Sequence, residues 1–303
     1  MQKRKKNINA KLWIAEGTCI PFVEVSYMDK DAQEHMGFMM LDTGSTVNFL
    51  FGDMSEWVVE SDRKDEAEMP VQDCMGGMFL SSEVKLSFVF GSSQFTEQFV
   101  CPGAKTTKLN GDMPIIGILG NNFLEKQGLT IDFSNGRVYT SHLGSGEVYN
   151  LGCDFFYPLF VGMENYGVPT VDVHYKKTDV PLVVDTGSGA NVVSLKCIKR
   201  CHLDCKFTDK PYSLQSVSGI NVALLAKVKI ALDIMDDVED YPSFETSFMV
   251  ADYHPIRERT GKNRAVEGII GAPFMVQYGW VIDFGAGVIY HQKAKVHNNV
   301  KEK

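Results

Sequence analysis

One five-residue motif occurs twice in this sequence. Residues 41–45 read Leu-Asp-Thr-Gly-Ser, and residues 184–188 read Val-Asp-Thr-Gly-Ser. A single Asp-Thr-Gly is short enough to arise by chance, whereas two copies in matched surroundings indicate a duplicated structural unit. The chain is therefore expected to fold as two similar lobes, with one motif in each.

The surroundings of the two motifs match on both sides. Upstream, residues 20–27 align with residues 168–175, and each stretch has proline at its second position. Two downstream stretches also repeat, one containing two apolar residues followed by glycine and the other beginning Ile-Asp-Phe. They are residues 118–124 with 269–275, and residues 131–139 with 282–290.

Length and composition allow two domains. A chain of 303 residues fits two units of about 150 residues, each long enough for its own hydrophobic core. We predict an N-terminal lobe at residues 1–150 and a C-terminal lobe at residues 151–303. Apolar residues make up 44% of the chain and charged residues 22%, which is typical of a soluble globular protein.

The local patterns predict a mainly β fold with few helices. Short runs rich in Val, Phe and Ile alternate with polar turns, and a short helix is expected after each motif, near residues 53–60 and 194–202. Residues 1–11 are interpreted as a loose polar arm and residues 141–160 as the connection between the lobes. The predicted strands are residues 18–28, 36–41, 82–90, 94–100, 168–175, 180–184, 228–234 and 244–250.

These features resemble the aspartic proteases. That family places one Asp-Thr-Gly in each half of a two-fold or pseudo-two-fold molecule, and each half adds an apolar-apolar-Gly element, here residues 118–120 and 269–271. The resemblance implies a bilobal fold of closed, barrel-like β lobes with a cleft between them. The ending of the first lobe looks more like a retropepsin than like pepsin, which predicts two retropepsin-like lobes fused in one chain.

The resemblance assigns the chemistry to Asp42 and Asp185. Two carboxyl groups held close together cannot both ionise easily, so the pair shares one proton. One member then acts as a base on a water molecule, while the other acts as an acid toward the scissile carbonyl. The expected activity is hydrolysis of peptide bonds in a peptide or protein substrate, with no metal or cofactor.

The resemblance also gives supporting roles to the other motif residues. The threonines are expected to hydrogen-bond across the lobe interface, and the glycines to bring backbone N–H groups against the carboxylates. The serine hydroxyls are expected to donate to the outer carboxylate oxygens, which favours the charged form and predicts an acidic pH optimum. These residues are Thr43, Gly44, Ser45, Thr186, Gly187 and Ser188.

Two hairpins are the candidate flaps that cover a bound peptide. The first spans residues 69–80 and the second spans residues 212–225, with Tyr212 near its start. Glycine permits the positive φ that a tight hairpin turn requires. The predicted substrate-contacting positions are Gly76, Gly77 and Met78 in the first flap, and Ser218, Gly219 and Ile220 in the second.

Alternatives remain open at this level. A relative that keeps the fold and binds peptide without cutting it fits the same pattern. Association with a second chain is unnecessary because both motifs lie in one chain, so a monomer is expected. The residues Cys197, Cys201 and Cys205 recur at helical spacing, and we interpret them as buried thiols in preference to a zinc site.

Charge and cysteine content restrict partners and compartment. A formal net charge of −8 argues against nucleic acid or an anionic membrane as the main partner. The seven cysteines are an odd number without close pairs, which favours free thiols in a reducing compartment. The basic start at residues 1–6 is not followed by an apolar run, so a cytoplasmic location is expected.

Overall fold

The computed structural model describes twelve stretches of the chain, and the strands, helices and contacts given for it lie within them. They are residues 7–51, 69–72, 78–101, 107–108, 113–142, 147, 155–158, 168–175, 178–215, 221–233, 243–251 and 266–291.

The first lobe is built from nine strands, and the mainly β fold predicted from the sequence is confirmed here. In chain order they are β2 (Trp13–Ile14), β3 (Pro21–Met28), β4 (Glu34–Asp42), β5 (Phe49–Leu50), β6 (Met69–Gln72), β7 (Met78–Phe90), β8 (Ser93–Cys101), β9 (Thr107–Lys108) and β10 (Pro114–Gly120). The sheet order is β2-β3-β4-β10-β5-β8-β7-β6, and β9 pairs with β10. Because β3 also pairs with β7, the central strands close into a barrel.

The second lobe repeats this plan with seven strands. They are β14 (Thr170–Tyr175), β15 (Thr178–Asp185), β16 (Val192–Ser194), β17 (Lys206–Gln215), β18 (Asn221–Asp233), β19 (Ser243–Ala251) and β20 (Gly268–Gly271). Their order is β14-β15-β20-β16-β19-β18-β17, and a pairing between β14 and β18 closes the barrel. The bilobal architecture of barrel-like sheets is therefore the one expected.

A third sheet joins the lobes. Its strands are β1 (Asn9–Lys11), β11 (Leu129–Asp132), β12 (Arg137–Thr140), β13 (Phe155–Pro158), β21 (Trp280–Asp283) and β22 (Val288–His291). The order is β1-β12-β11-β21-β22-β13, so the two Ile-Asp-Phe stretches lie side by side and Ile131 pairs with Ile282. The sheet thus contains matching strands from both halves of the chain.

Burial follows the strand period. In β3 the side chains of Val23, Val25 and Tyr27 are buried, while Glu24 is exposed, as expected for a strand with one face on the core. One continuous apolar core extends through both barrels and the shared sheet. Trp280, for example, packs edge-on against Phe274 with ring centroids 5.0 Å apart.

Three short helices occur among the described residues: α1 (Asn121–Gln127), α2 (Leu195–Arg200) and α3 (Ala272–Tyr278). The predicted helix after the second motif is confirmed as α2, whose N-cap Ser194 accepts the N–H of Cys197 at 3.0 Å. Residues 53–60 lie outside the described residues. The helices α1 and α3 were not predicted, because each has only seven residues between buried strands.

The expectation of a loose N-terminal arm is wrong for residues 7–11. The predicted loose arm contains β1, which pairs with β12, because Ile8 is fully buried and the N–H of Ile8 donates to Thr140 Oγ1 at 3.0 Å. The segment at residues 141–160, predicted to connect the lobes, also contains β13, which pairs with β22. The domain limits at residues 150 and 151 fall outside the described residues and stay a prediction.

Candidate active site

Each Asp of the repeated motif is the last residue of a central strand. Asp42 ends β4 and Asp185 ends β15. Each strand runs parallel to a strand carrying the apolar-apolar-Gly element, so that Asp42 pairs with Gly120 and Asp185 pairs with Gly271. In both barrels, therefore, an aspartate lies at the end of the equivalent strand, at the junction between the lobes.

Four hydrogen bonds between Thr43 and Thr186 and their surroundings connect the two motif loops. The N–H of Thr43 donates to Thr186 Oγ1 at 3.0 Å, and the N–H of Thr186 donates to Thr43 Oγ1 at 2.9 Å. Each hydroxyl also donates at 2.6 Å to a carbonyl of the opposite lobe, Thr43 to Val184 and Thr186 to Leu41. Both threonines are fully buried. The expected hydrogen bonds across the lobe interface are thus present.

The two motif glycines bring the carboxyl groups together. The N–H of Gly44 donates to Asp42 Oδ1 at 2.8 Å, and that of Gly187 donates to Asp185 Oδ1 at 2.9 Å. Each glycine also faces the opposite aspartate, because a Cβ atom on Gly44 or on Gly187 would lie 2.5 Å from the Cγ of Asp185 or of Asp42, respectively. The carboxyl groups of Asp42 and Asp185 therefore face each other across the lobe junction, close enough for each to act on the pKa of the other.

The environment raises the pKa of both carboxyl groups. Burial is the main cause for each, and Asp185 is only 6% exposed. The pKa of Asp185 lies well above its usual range because the charge of Asp42 and the hydrogen bond between the two groups add to burial. For Asp42, hydrogen bonds from Asp185 and from the N–H groups of Gly44, Ser45 and Gly187 oppose the effect of burial. This arrangement favours a pair with one shared proton.

The motif serines do not make the contacts expected of their hydroxyls. Ser45 Oγ donates to the carbonyl of Val47 at 2.7 Å, and Ser188 Oγ donates to the carbonyl of Ala190 at 2.8 Å. A hydroxyl has a single hydrogen, so neither serine side chain donates to a carboxylate. Their backbone N–H groups act on the aspartates instead. The serine hydroxyls therefore give no support to the predicted acidic pH optimum.

Two buried asparagines support the loops and were not singled out in the sequence. Asn48 Oδ1 accepts the N–H of Gly120 at 3.0 Å, and Asn191 Oδ1 accepts the N–H of Gly271 at 2.9 Å. Each asparagine lies six residues after the motif aspartate of its own lobe. The internal alignment contained this signal, since the same residue type recurs at the same distance from both motifs.

The glycines of the apolar-apolar-Gly elements are required by close backbone approach. A Cβ atom on Gly120 would lie 2.4 Å from the carbonyl oxygen of Val47, and one on Gly271 would lie 2.4 Å from that of Ala190. No side chain fits in that space. These elements therefore pack directly on the loops that carry Asp42 and Asp185.

The candidate flap positions are only partly described. Strands β6 and β7 form one antiparallel hairpin, and β17 and β18 form the other, with Tyr212 in β17. Met78 is the first residue of β7. The remaining flap residues, Gly76, Gly77, Ser218, Gly219 and Ile220, lie outside the described residues.

Cys197 and Cys201 are buried thiols, whereas Cys205 is partly exposed. Cys197 Sγ and Cys201 Sγ are 4.0 Å apart, and burial raises the pKa of both thiols. Cys205 packs at the edge of the core. Within the described residues, no group of three His, Cys, Asp or Glu side chains is arranged to hold a metal ion.

No helix in the same part of the chain is long and apolar enough to span a membrane.

The fold resembles those of known structures. No protein-family model and no curated protein matches the sequence. The structure is similar to that of an aspartic proteinase from Irpex lacteus, with a TM-score of 0.55, 13% identity, and coverage of 96% of this chain and 99% of that chain. It is also similar to basic 7S globulin from soybean, with a TM-score of 0.49, 11% identity, and 95% coverage of both chains.

The topology and the similarity to the Irpex lacteus proteinase define the class of fold. The chain has the mainly β, two-lobed, pepsin-like fold of the aspartic proteases. At 13% identity the similarity establishes the fold alone, so any activity has to be argued from the residues at the lobe junction.

Proposed function

We propose that this protein is an aspartic endopeptidase with Asp42 and Asp185 as its catalytic residues. The observation that carries the proposal is the close approach of the two carboxyl groups, each packed against the motif glycine of the other lobe, on loops that Thr43 and Thr186 hold together. A pair of turn-forming aspartates in unrelated loops has no reason to meet in this way. The buried, coupled pair supplies both an acid and a base at the same pH.

The reaction needs only the pair and one water molecule. The ionised carboxyl takes a proton from water as the water oxygen attacks the carbonyl carbon of the peptide. The protonated carboxyl hydrogen-bonds the carbonyl oxygen and stabilises the negative charge that develops there. When the C–N bond breaks, the nitrogen leaves as an amine after receiving the proton that the pair took from water, so the pair again holds one proton.

The substrate is proposed to be an extended peptide or an extended segment of a protein. An extended backbone can bind alongside strands through main-chain hydrogen bonds, while side-chain pockets provide selectivity. The hairpins β6–β7 and β17–β18 are the proposed flaps over this peptide. Because one chain carries both aspartates, we propose that a monomer is active. The retropepsin-like character of the lobes and the cytoplasmic location stay predictions.

Digestion of a peptide library tests the proposal, with and without a statine-type inhibitor. We expect cleavage that the inhibitor blocks and that either Asp42→Asn or Asp185→Asn abolishes. Asp31→Asn is the matched control, because Asp31 is exposed in the turn between β3 and β4. Cleavage that survives either catalytic substitution contradicts the proposal. Peptide binding by the parent without cleavage supports the alternative, a peptide-binding protein of the same fold.

A further inference from the structure

The two lobes differ at the residue that follows the apolar-apolar-Gly element. Lobe one has Asn121 and lobe two has Ala272. Both residues begin a short helix, and both backbone N–H groups donate to the carbonyl of the motif serine, at 2.8 Å for Ser45 and 2.9 Å for Ser188. The backbone is therefore equivalent in the two lobes, and the difference is confined to the side chain.

The amide side chain of Asn121 binds the loop that carries Asp42. Asn121 is 2% exposed, and its Nδ2 donates to the carbonyl oxygen of Thr43. The peptide group that contains this carbonyl also contains the N–H of Gly44, which donates to Asp42 Oδ1 at 2.8 Å. A single peptide group thus connects the amide of Asn121 with the carboxyl of Asp42.

Hydrogen bonds in series polarise one another. A donor at the carbonyl oxygen of a peptide makes the N–H of the same peptide a stronger donor. A stronger donor to a carboxylate favours its charged form. The peptide joining Thr186 to Gly187 binds Asp185 in the same manner, but the Ala272 side chain has no polar atom with which to polarise it.

We propose that Asn121 is a positioning residue that makes the two aspartates inequivalent, so that Asp42 holds the negative charge and Asp185 holds the proton. Its catalytic meaning rests on the proposed function: Asp42 is then the base toward water, and Asp185 is the acid toward the scissile carbonyl. Among the described residues, the titratable side chain that acts on each carboxyl is the other carboxyl.

Carboxyl-carbon NMR titration tests the charge distribution without any need for activity. The full chain is labelled at aspartate with carbon-13, and the two signals are assigned with Asp42→Asn and Asp185→Asn. In the parent, we expect Asp42 to carry most of the chemical-shift change at the first titration step of the pair. In Asn121→Ala, the first step moves to higher pH and is shared more evenly between the two carboxyls.

Two further variants sharpen the comparison. Asn122→Ala is the matched control, because Asn122 is the exposed neighbour of Asn121, and it should leave the titration unchanged. Ala272→Asn gives lobe two the missing amide. It should also divide the chemical-shift change at the first titration step more evenly between Asp42 and Asp185. If either Asn121→Ala or Ala272→Asn does not fold, the titration of the other variant decides. An unchanged share in a folded Asn121→Ala protein, or a first step carried mainly by Asp185 in the parent, overturns the proposal.

Kinetics separate this inference from the proposed function. With an active parent, Asn121→Ala should shift the acidic limb of the kcat/KM profile to higher pH. On that limb we expect a loss of about 1.2- to 1.7-fold, because polarisation changes one net hydrogen bond of ~1 kcal/mol by about 10–30%. A structural defect alone lowers kcat/KM without moving the limb. If Asn121→Ala shifts the titration but the parent does not cleave peptides, the proposed function fails and the inequivalence of the two aspartates stands. If the parent cleaves peptides but Asn121→Ala shifts nothing, the proposed function stands and the role of Asn121 fails.

Discussion

Gly44 lies against the carboxyl group of Asp185, across the junction between the two lobes. A Cβ atom at Gly44 would be 2.5 Å from Asp185 Cγ, and the symmetric contact joins Gly187 to Asp42 at the same distance. Each lobe therefore supplies one aspartate and one glycine that leaves space for the aspartate of the other lobe. The pair can form only if neither glycine carries a side chain.

Replacing either glycine by alanine should separate the carboxyl groups. The added methyl group of Gly44→Ala or Gly187→Ala has no space, and such overpacking costs about 1–3 kcal/mol in a rigid site. We expect loss of cleavage together with a lower urea midpoint. Gly189→Ala is the milder control, because the atoms nearest to a Cβ there belong to Thr18, at 3.1 Å and beyond, and not to either aspartate. Normal cleavage by Gly44→Ala would show that the contact is not as described.

Replacing a motif threonine by valine should weaken the junction between the lobes. Thr43→Val or Thr186→Val keeps the shape of the side chain but removes two buried hydrogen bonds. Because a buried backbone N–H is left without its acceptor, we expect a loss of about 1–3 kcal/mol in the free energy of unfolding.

Urea unfolding of the two single variants and the double variant measures the coupling between the threonines. The loss in the double variant should differ from the sum of the single losses, because the two residues belong to one network. Thr96→Val is a suitable control, since Thr96 is exposed and pairs with Ser87 on the surface. Additive effects would argue against a shared network.

Removing the charge of Asp185 should stabilise the folded protein, and more so at high pH. Burial raises the pKa of Asp185 in the folded state, so the unfolded chain releases this proton at lower pH. The folded state is therefore favoured below the usual pKa of an aspartate and loses this advantage as pH rises through the raised value. Asparagine does not titrate, so Asp185→Asn does not lose stability in this way as the pH rises.

Urea unfolding at pH 4 and at pH 7 measures this effect. The stability of Asp185→Asn relative to the parent should be greater at pH 7 than at pH 4. Asp31→Asn, at an exposed position, should show no such dependence. If the stability of Asp185→Asn relative to the parent is greater at pH 4 than at pH 7, the pH dependence has the opposite sign and contradicts the raised pKa.

The buried asparagines should act locally on the loops next to the aspartates. Asn48→Ala leaves the N–H of Gly120 without its acceptor, and Asn191→Ala does the same for Gly271. We expect each to cost about 1–3 kcal/mol of stability. Hydrogen exchange should accelerate at the corresponding glycine amide more than at amides of the other lobe. Equal acceleration in both lobes would indicate a general loss of stability instead.

The parts of the fold that could be predicted from the sequence are those that repeat. Two copies of Asp-Thr-Gly-Ser, each with an apolar-apolar-Gly partner, predicted two mainly β lobes and the meeting of Asp42 with Asp185. The hydrogen bonds between Thr43 and Thr186 followed from the resemblance of these motifs to a known family. Repetition and alternating burial are properties of the chain itself, so they can be read without coordinates.

Other features depend on which groups the folded chain brings within hydrogen-bonding distance. The sequence determined that Ser45 and Ser188 carry hydroxyls, but only the tertiary structure decided that these bind the carbonyls of Val47 and Ala190. It likewise decided that Asn121 contacts Thr43, and that a polar segment pairs as β1 with β12. The reason is physical: a donor and its acceptor are chosen by distance and angle in three dimensions, which residue type and spacing do not specify.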